Sequence, residues 1–147
     1  MKKYLVLLIV LLVSIFSYAA FTGNVNEKLL RSFKETYPNA KQVTWNEMPE
    51  TYVVNFIENG IRAQIIYEKN GAYQSSLRYY AEEHLPPYLV FYIKTNFPEK
   101  RIFGITEVST ATSINYIVKM EDDMLYTTIK IDPDTRWEYV EEFVKAL

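Results

Sequence analysis

Two segments of the chain place apolar residues at helical spacing, and each segment ends at a proline. Residues 27–37 follow an asparagine that can cap a helix, and residues 86–97 begin with two prolines, which the first helical turn tolerates. Pro38 and Pro98 end the two helices because the residue before a proline is pushed out of the helical region. The apolar stripes are Leu29, Leu30, Phe33 and Tyr37 in the first segment and Leu89, Val90, Ile93 and Phe97 in the second.

Eight further segments alternate apolar and polar residues, as strands do when one face is turned to a core. Four of them follow each predicted helix. Asn59-Gly60 joins two of these runs, and an Asn-Gly pair is a strong hairpin signal because both residues must adopt positive φ. The predicted strands are residues 42–47, 52–58, 61–68 and 72–79 in the first half and 102–109, 113–121, 125–132 and 136–143 in the second.

The two halves repeat each other at an offset of sixty residues, which becomes sixty-four after the first hairpin. The stretch FKETYPNAKQVTW, residues 33–45, corresponds to IKTNFPEKRIFGI, residues 93–105. We predict an internal duplication, with repeats at about 25–80 and 85–143. One helix on four strands buries little apolar surface, whereas two such units can share a sheet or a core. The pattern predicts an α+β fold with an eight-stranded antiparallel sheet and both helices on one face.

The first 19 residues have the pattern of a Sec-type signal peptide. Lys2 and Lys3 precede an apolar run at residues 5–16, which is short for a membrane span, and Ser17-Tyr18-Ala19 supplies a cleavage site. An N-terminal membrane anchor is the alternative. We expect cleavage after Ala19, a mature single domain over residues 20–147 with no membrane span, and a location in the periplasm or outside the cell.

The composition of the mature chain excludes several classes of protein. Without the leader the chain has 14 basic and 18 acidic residues, so its formal charge is −4 and nucleic acid is not an expected partner. It contains no cysteine, so it has neither a disulfide nor the cysteine that lipoproteins carry at the N-terminus. The core must therefore stabilise the fold unaided.

The residues resemble the PepSY-like, beta-lactamase-inhibitor-protein-like (BLIP-like) domains. The resemblance covers most of residues 25–143, and the link YYAEEHLPPYLVFYIKTNFP is similar to members exported by Bacteroidetes. It implies a periplasmic or surface domain without enzymatic activity, related by name to an inhibitor of beta-lactamase and to propeptide domains that restrain peptidases. The motifs that carry it are the aromatic-Pro helix end, Val43-x-Trp45, Tyr52-x-Val54-x-Phe56, Asn-Gly and Tyr67-x4-Ala72-Tyr73.

The second repeat departs from this pattern at two positions. Ile105 occupies the position equivalent to Trp45 of the first repeat, and Thr135 occupies the position equivalent to Gly71. The loops that carry inhibitory contacts in the family do not match this sequence, so the resemblance assigns no contact residues.

Few residues suggest catalysis or metal binding. His84 is the only histidine and lies in a connecting segment without the sequence context of a catalytic triad, so no cofactor and no zinc site are expected. Glu121-Asp122-Asp123 and Asp132-Pro133-Asp134 lie at predicted turns, where aspartate is common for local reasons; an irregular calcium loop is the alternative. The sequence does not exclude a pair of carboxylates for glycoside hydrolysis, although short loops leave little room for a substrate cleft.

The second helix carries an unusual outer face. Tyr88, Phe91 and Tyr92 lie away from its apolar stripe, and we predict that they contact a partner protein or a second copy of the chain. The alternative is that the chain's own Phe143, Val144 and Leu147, or Tyr79 and Tyr80, cover these rings. The equivalent positions of the first helix are Lys28, Arg31 and Ser32.

These observations favour a secreted, non-catalytic binding or inhibitory module that acts on an envelope or extracellular protein, or that forms a homodimer. The alternative is a periplasmic carrier that holds a small apolar ligand or peptide between the helices and the sheet. A carrier needs a cavity, and large residues on both core faces favour a filled interior.

Overall fold

The computed structural model describes residues 25–146, so the predicted leader lies outside the described residues. Within residues 25–146 it confirms the predicted α+β fold, with two α-helices, a 3₁₀ turn at Glu82–His84 and an eight-stranded antiparallel sheet. The helices are α1 (Glu27–Thr36) and α2 (Pro87–Asn96). The strands are β1 (Lys41–Glu47), β2 (Thr51–Glu58), β3 (Ile61–Glu68), β4 (Tyr73–Tyr80), β5 (Arg101–Thr110), β6 (Ile114–Glu121), β7 (Leu125–Ile131) and β8 (Trp137–Val144).

The strands follow one another across the sheet in sequence order, so each half is a helix followed by a four-stranded meander. Asn59 and Gly60 have φ of 51° and 81°, as their hairpin turn requires. Ala72 and Asp132, which we predicted to lie in strands, are turn residues instead. The Ala72 N–H donates to Asn70 Oδ1, and Asp132 Oδ1 accepts from the backbone of Asp134.

Strand register places both helices on the same face of the sheet, which we call the helix face. Ser76 and Tyr80 lie four residues apart on β4, so their side chains share this face. Residues paired across neighbouring strands form a row that crosses the sheet. Ser76 is the last residue of the row beneath α1, and Tyr80 is the first residue of the row beneath α2. The rows are Trp45, Val54, Ile65 and Ser76, and Tyr80, Ile105, Val118 and Ile129.

The buried side chains form two clusters, one beneath each helix. In the α1 cluster Phe33 packs edge-on against Trp45 and Phe56, with ring centroids 5.3 and 5.1 Å apart. The α2 cluster includes Ile61 and Tyr80, which belong to the first half of the chain. The second half therefore depends on side chains that the first half supplies.

The first strand after each helix contains a bulge at equivalent positions. The pairing of β1 shifts between Lys41 and Thr44, and that of β5 shifts between Ile102 and Gly104. Bulges strengthen the local twist and turn a side chain to a new direction. In β5 the turned side chain is Phe103, whose ring lies 5.9 Å from that of Tyr126.

Candidate functional site

The predicted contact residues of α2 differ in exposure. Phe91 is 75% exposed and Tyr88 is 49% exposed. The Tyr88 hydroxyl donates to the Pro133 carbonyl at 3.0 Å, which fixes this ring beside the β7–β8 turn. Tyr92 is half-buried and packs against the α2 cluster, so it does not lie wholly on the outer side as its spacing predicted. We call Tyr88, Phe91 and Tyr92 the α2 patch.

Within residues 25–146, the side chains that the sequence offers as alternative covers of the α2 patch do not cover Phe91. Phe143 pairs with Tyr126, and Tyr79 pairs with Arg62, on the sheet face away from the helices. Tyr80 belongs to the α2 cluster, and Leu147 lies outside the described residues. Val144, at the end of β8, is 73% exposed. Phe91 is thus open to solvent in the described part of the chain, as are the charged residues at the matching positions of α1.

The face of the sheet opposite the helices is a larger surface that sequence reasoning missed. No element of residues 25–146 packs over it, and we call it the open face. Leu77 pairs with Gln64 on one side and Val108 on the other, and Asn55 accepts a hydrogen bond of 2.9 Å from Gln64. The apolar side chains in the middle of the open face form a band, and Tyr126 and Phe143 lie on the same face near its edge; the band is Val53, Ile57, Ile66, Leu77, Tyr79, Val108 and Ile117.

Basic residues accompany this apolar band. The Arg62 guanidinium lies 5.6 Å from the centroid of the Tyr79 ring, a cation–π distance, and Lys119 is exposed on β6. Lys130 pairs with Glu138, the carboxylate being 3.0 Å from its Nζ. At the far corner, Lys145 Nζ lies 4.9 Å from the Tyr126 ring centroid. The open face is therefore apolar in its middle and carries charges of both signs around it, since Glu121, Glu138 and Glu141 lie on the same face.

A signal for the open face was present in the sequence. The runs YVVNFI in β2 and INYIV in β6 are nearly continuous in apolar residues, whereas a strand with one wet face alternates. The alternation beneath the helices gives a role to one face of each strand only, and it gives none to Ile57 or Ile117. Such runs indicate strands with apolar residues on both faces.

The acidic triplets serve as turn acceptors. Asp122 Oδ1 accepts from the backbone N–H groups of Met124 and Leu125, and Lys100 Nζ lies 2.6 Å from Oδ2. The hydrogen bond from Lys100, with the two backbone N–H groups, lowers the pKa of Asp122 to about 2. Asp132 accepts from the Arg136 guanidinium, which lowers its pKa. Among the described residues no group of three or more carboxylate, histidine or cysteine side chains is arranged to hold a metal ion.

His84 is exposed at the end of the 3₁₀ turn, and its ring lies edge-on to that of Tyr80 at 6.0 Å. This contact connects the link between the two halves to the α2 cluster. No helix within residues 25–146 is long and apolar enough to cross a membrane.

No protein-family model matches the chain, and no curated protein matches it. Its structure is similar to that of a BLIP-like protein from Bacteroides fragilis NCTC 9343, with a TM-score of 0.61, 13% identity, and coverage of 84% of this chain and 88% of that chain. It is also similar to a DUF2874 family protein from Bacteroides ovatus ATCC 8483, with a TM-score of 0.61, 16% identity and coverage of 84% and 89%. A protein from Bacteroides eggerthii DSM 20697, described as a candidate periplasmic protein, matches with a TM-score of 0.60, 16% identity and coverage of 83% and 90%.

At these identities the likeness establishes the fold. The sequence resemblance to BLIP-like Bacteroidetes domains is confirmed at this level. The chain has a BLIP-like fold, and one of its structural neighbours is described as periplasmic.

Proposed function

We propose that this chain is an exported, non-catalytic domain that binds a protein partner in the cell envelope, and that the open face is its main docking surface. The observation that carries the proposal is the apolar band across the open face, over which no element of residues 25–146 packs. Tyr79 is exposed and the other side chains of the band are half-buried by one another, so together they leave a contiguous apolar surface of the kind that marks an interaction site.

The size of the open face suits a protein partner better than a small molecule. Eight strands at a spacing of about 4.8 Å span roughly 34 Å, enough for the ~800 Å² that each partner buries in an interface of ordinary size. Arg62 and Lys119 lie beside the band, but Glu121, Glu138 and Glu141 share its face, so charges of both signs surround it and give orientation to a partner rather than a preference for one sign of charge. Inhibition of an enzyme is one form that such binding can take.

The carrier alternative receives less support from the packing. Beneath α2, Leu89 and Val118 are 0% exposed, and beneath α1 Val54 is 0% exposed. Large side chains thus fill the space directly beneath each helix, so a ligand held there would have to displace packed side chains.

Photocrosslinking in cells tests the docking surface. Tyr79 on the open face is replaced by p-benzoylphenylalanine, and matched variants carry the same group at Phe91 or at the exposed Arg31 of α1. We expect a discrete crosslinked product from position 79 and none from position 31. The same cells test export, because the processed chain should begin at Ala20.

Other outcomes separate the alternatives. A crosslinked product from position 91 alone would contradict the proposal that the open face is the docking surface and would support the α2 patch instead. A product of twice the chain's mass would identify a homodimer. Ile117→Glu should then reduce recovery of the product by about tenfold or more, because a charge replaces an apolar contact in the middle of the band. Phe91→Glu is the matched control for a surface charge elsewhere.

A further inference from the structure

The two helices do not cover the middle of the helix face of the sheet. The α1 cluster draws its strand residues from β1, β2 and β3, and the α2 cluster draws most of its strand residues from β5, β6 and β7. Between them β4 and β5 present polar side chains to the helix face, among them Ser76, Arg78 and Glu107. The side chain of Arg78 is 44% exposed there.

A cleft of about 80 Å³ lies at this seam, and we call it the seam cleft. Arg78 and Ser76 stand on one side of it, and Glu58 and Asn59 lie at its end. The cleft adjoins a groove of about 640 Å³ beside α1, which shares Tyr37 with it and also contains Tyr67 and Tyr73. The apolar lining of the cleft is Tyr37, Phe56, Ile61, Ala63 and Ile65.

Glu107 pairs with Arg78 but leaves some of the N–H donors of the Arg78 guanidinium unused. Arg78 Nη1 lies 3.3 Å from Glu107 Oε1, while the same carboxylate accepts from the Tyr80 hydroxyl at 2.7 Å and from Ser109 Oγ at 3.5 Å. A guanidinium has five N–H donors in a planar fork. Within residues 25–146 the other N–H groups of Arg78 have no acceptor, so they are available to a ligand.

Two tyrosine hydroxyls are donors as well, that of Tyr37 at the seam cleft beside Arg78 and that of Tyr67 in the adjoining groove. Burial is the main cause that raises the pKa of Tyr37, and burial raises the pKa of Tyr67 to about 12. Both phenols therefore stay protonated at neutral pH, and neither hydroxyl has a hydrogen-bond partner in the described chain. A ligand here meets donors on its polar side and apolar side chains beneath.

We propose that the seam cleft binds a single carboxylate attached to a small apolar group, either the C-terminus of a peptide or a free organic acid. A carboxylate matches the planar fork of Arg78, and its apolar neighbour would lie on Ala63, Ile65 and Phe56. The volume admits only several water-sized groups, so the rest of a longer ligand extends into the groove beside α1. Glu58 and Glu107 stand close by and repel every anion, so a monoanionic carboxylate binds only through the unused donors of Arg78, and a dianion such as phosphate is disfavoured more strongly.

This site goes beyond the proposed function, because it lies on the helix face whereas the partner surface is the open face. The two can therefore fail or succeed separately.

Titration of the ¹⁵N-labelled mature chain with matched probes tests the site. N-acetyl-Leu-Leu with a free C-terminus is compared with its C-terminal amide, and hexanoate serves as the free organic acid. We expect the acid to shift the amide resonances of Ala63, Ile65 and Ser76, and the amide to bind about tenfold more weakly or worse. Hexanoate binding as tightly as the dipeptide would identify a free acid as the ligand, and tighter dipeptide binding would identify a peptide terminus; both support the site.

Arg78→Met should lower the affinity for the acid by about tenfold or more, while Arg31→Met on the outer side of α1 should leave it unchanged. Equal binding of acid and amide, unchanged binding by Arg78→Met, or no shifts at the cleft would each overturn the proposal. If Arg78→Met does not fold, the comparison of acid with amide on the wild-type chain still decides.

Discussion

At the scale of single residues, one turn is built twice with different residues at the critical position. In the β3–β4 turn the Gly71 N–H donates to the Glu68 carbonyl, and in the β7–β8 turn the Thr135 N–H donates to the Asp132 carbonyl. Gly71 has a φ of 90° and Thr135 a φ of 64°. Glycine adopts positive φ without steric cost, whereas a β-branched residue is strained there.

A reciprocal exchange measures this strain. Gly71→Thr should lower the free energy of unfolding by about 1–2 kcal/mol, because open space around the glycine leaves the backbone conformation as the main cost. Thr135→Gly should raise it by at most about 1 kcal/mol, since relief of strain is partly offset by the greater freedom of glycine in the unfolded chain. Urea unfolding of both variants checks the signs. A loss of stability in Thr135→Gly would show that Thr135 makes contacts that outweigh its strain.

At the scale of elements, α2 separates a core face from a surface face within one turn. Leu89 is 0% exposed in the α2 cluster, whereas Phe91 is 75% exposed. Both are large apolar residues, so composition alone would give them equal weight.

Truncation to alanine should therefore destabilise the protein at Leu89 and have little effect on its stability at Phe91. Leu89→Ala should lower the free energy of unfolding by about 2–5 kcal/mol, because it leaves a cavity in a filled core. Phe91→Ala should change it by less than about 0.5 kcal/mol, as substitutions at exposed positions usually do. Thermal and urea unfolding measure both. A large loss from Phe91→Ala would mean that its ring packs against part of the chain outside residues 25–146.

At the scale of the whole molecule, the halves have the same element order but do not depend on each other equally. The α1 cluster contains only residues of the first half, whereas the α2 cluster contains Ile61 and Tyr80 from β3 and β4. Either half alone would expose a strand that is paired in the whole chain, because β4 pairs with β5.

Separate expression of the halves tests this asymmetry. We expect residues 81–146 to be unfolded or oligomeric, since they lack two core side chains and each half is small for an independent fold. Residues 20–80 should keep more helical signal by circular dichroism, because their cluster is complete. A stable monomer of residues 81–146 beside an unfolded first half would contradict the inferred dependence.

The pattern of residue types is enough to predict the elements and their order. Helix stripes, strand alternation and turn residues are local, so residues such as Leu89 and Asn59 indicate their own conformation and the face they turn to the core. Short turns between consecutive runs then favour a meander, and the structure has strand bounds within one or two residues of those predicted.

The surfaces that remain uncovered follow from the packing of whole elements and not from the local pattern. Alternation tells which face a side chain occupies, but not whether another element packs over it, so Ile117 on the open face and Arg78 at the seam were not identified from spacing. Arg78 and Glu107 are 29 residues apart and meet because β4 pairs with β5. Exposure and such long-range pairs depend on the positions of whole elements relative to one another, which local patterns do not encode.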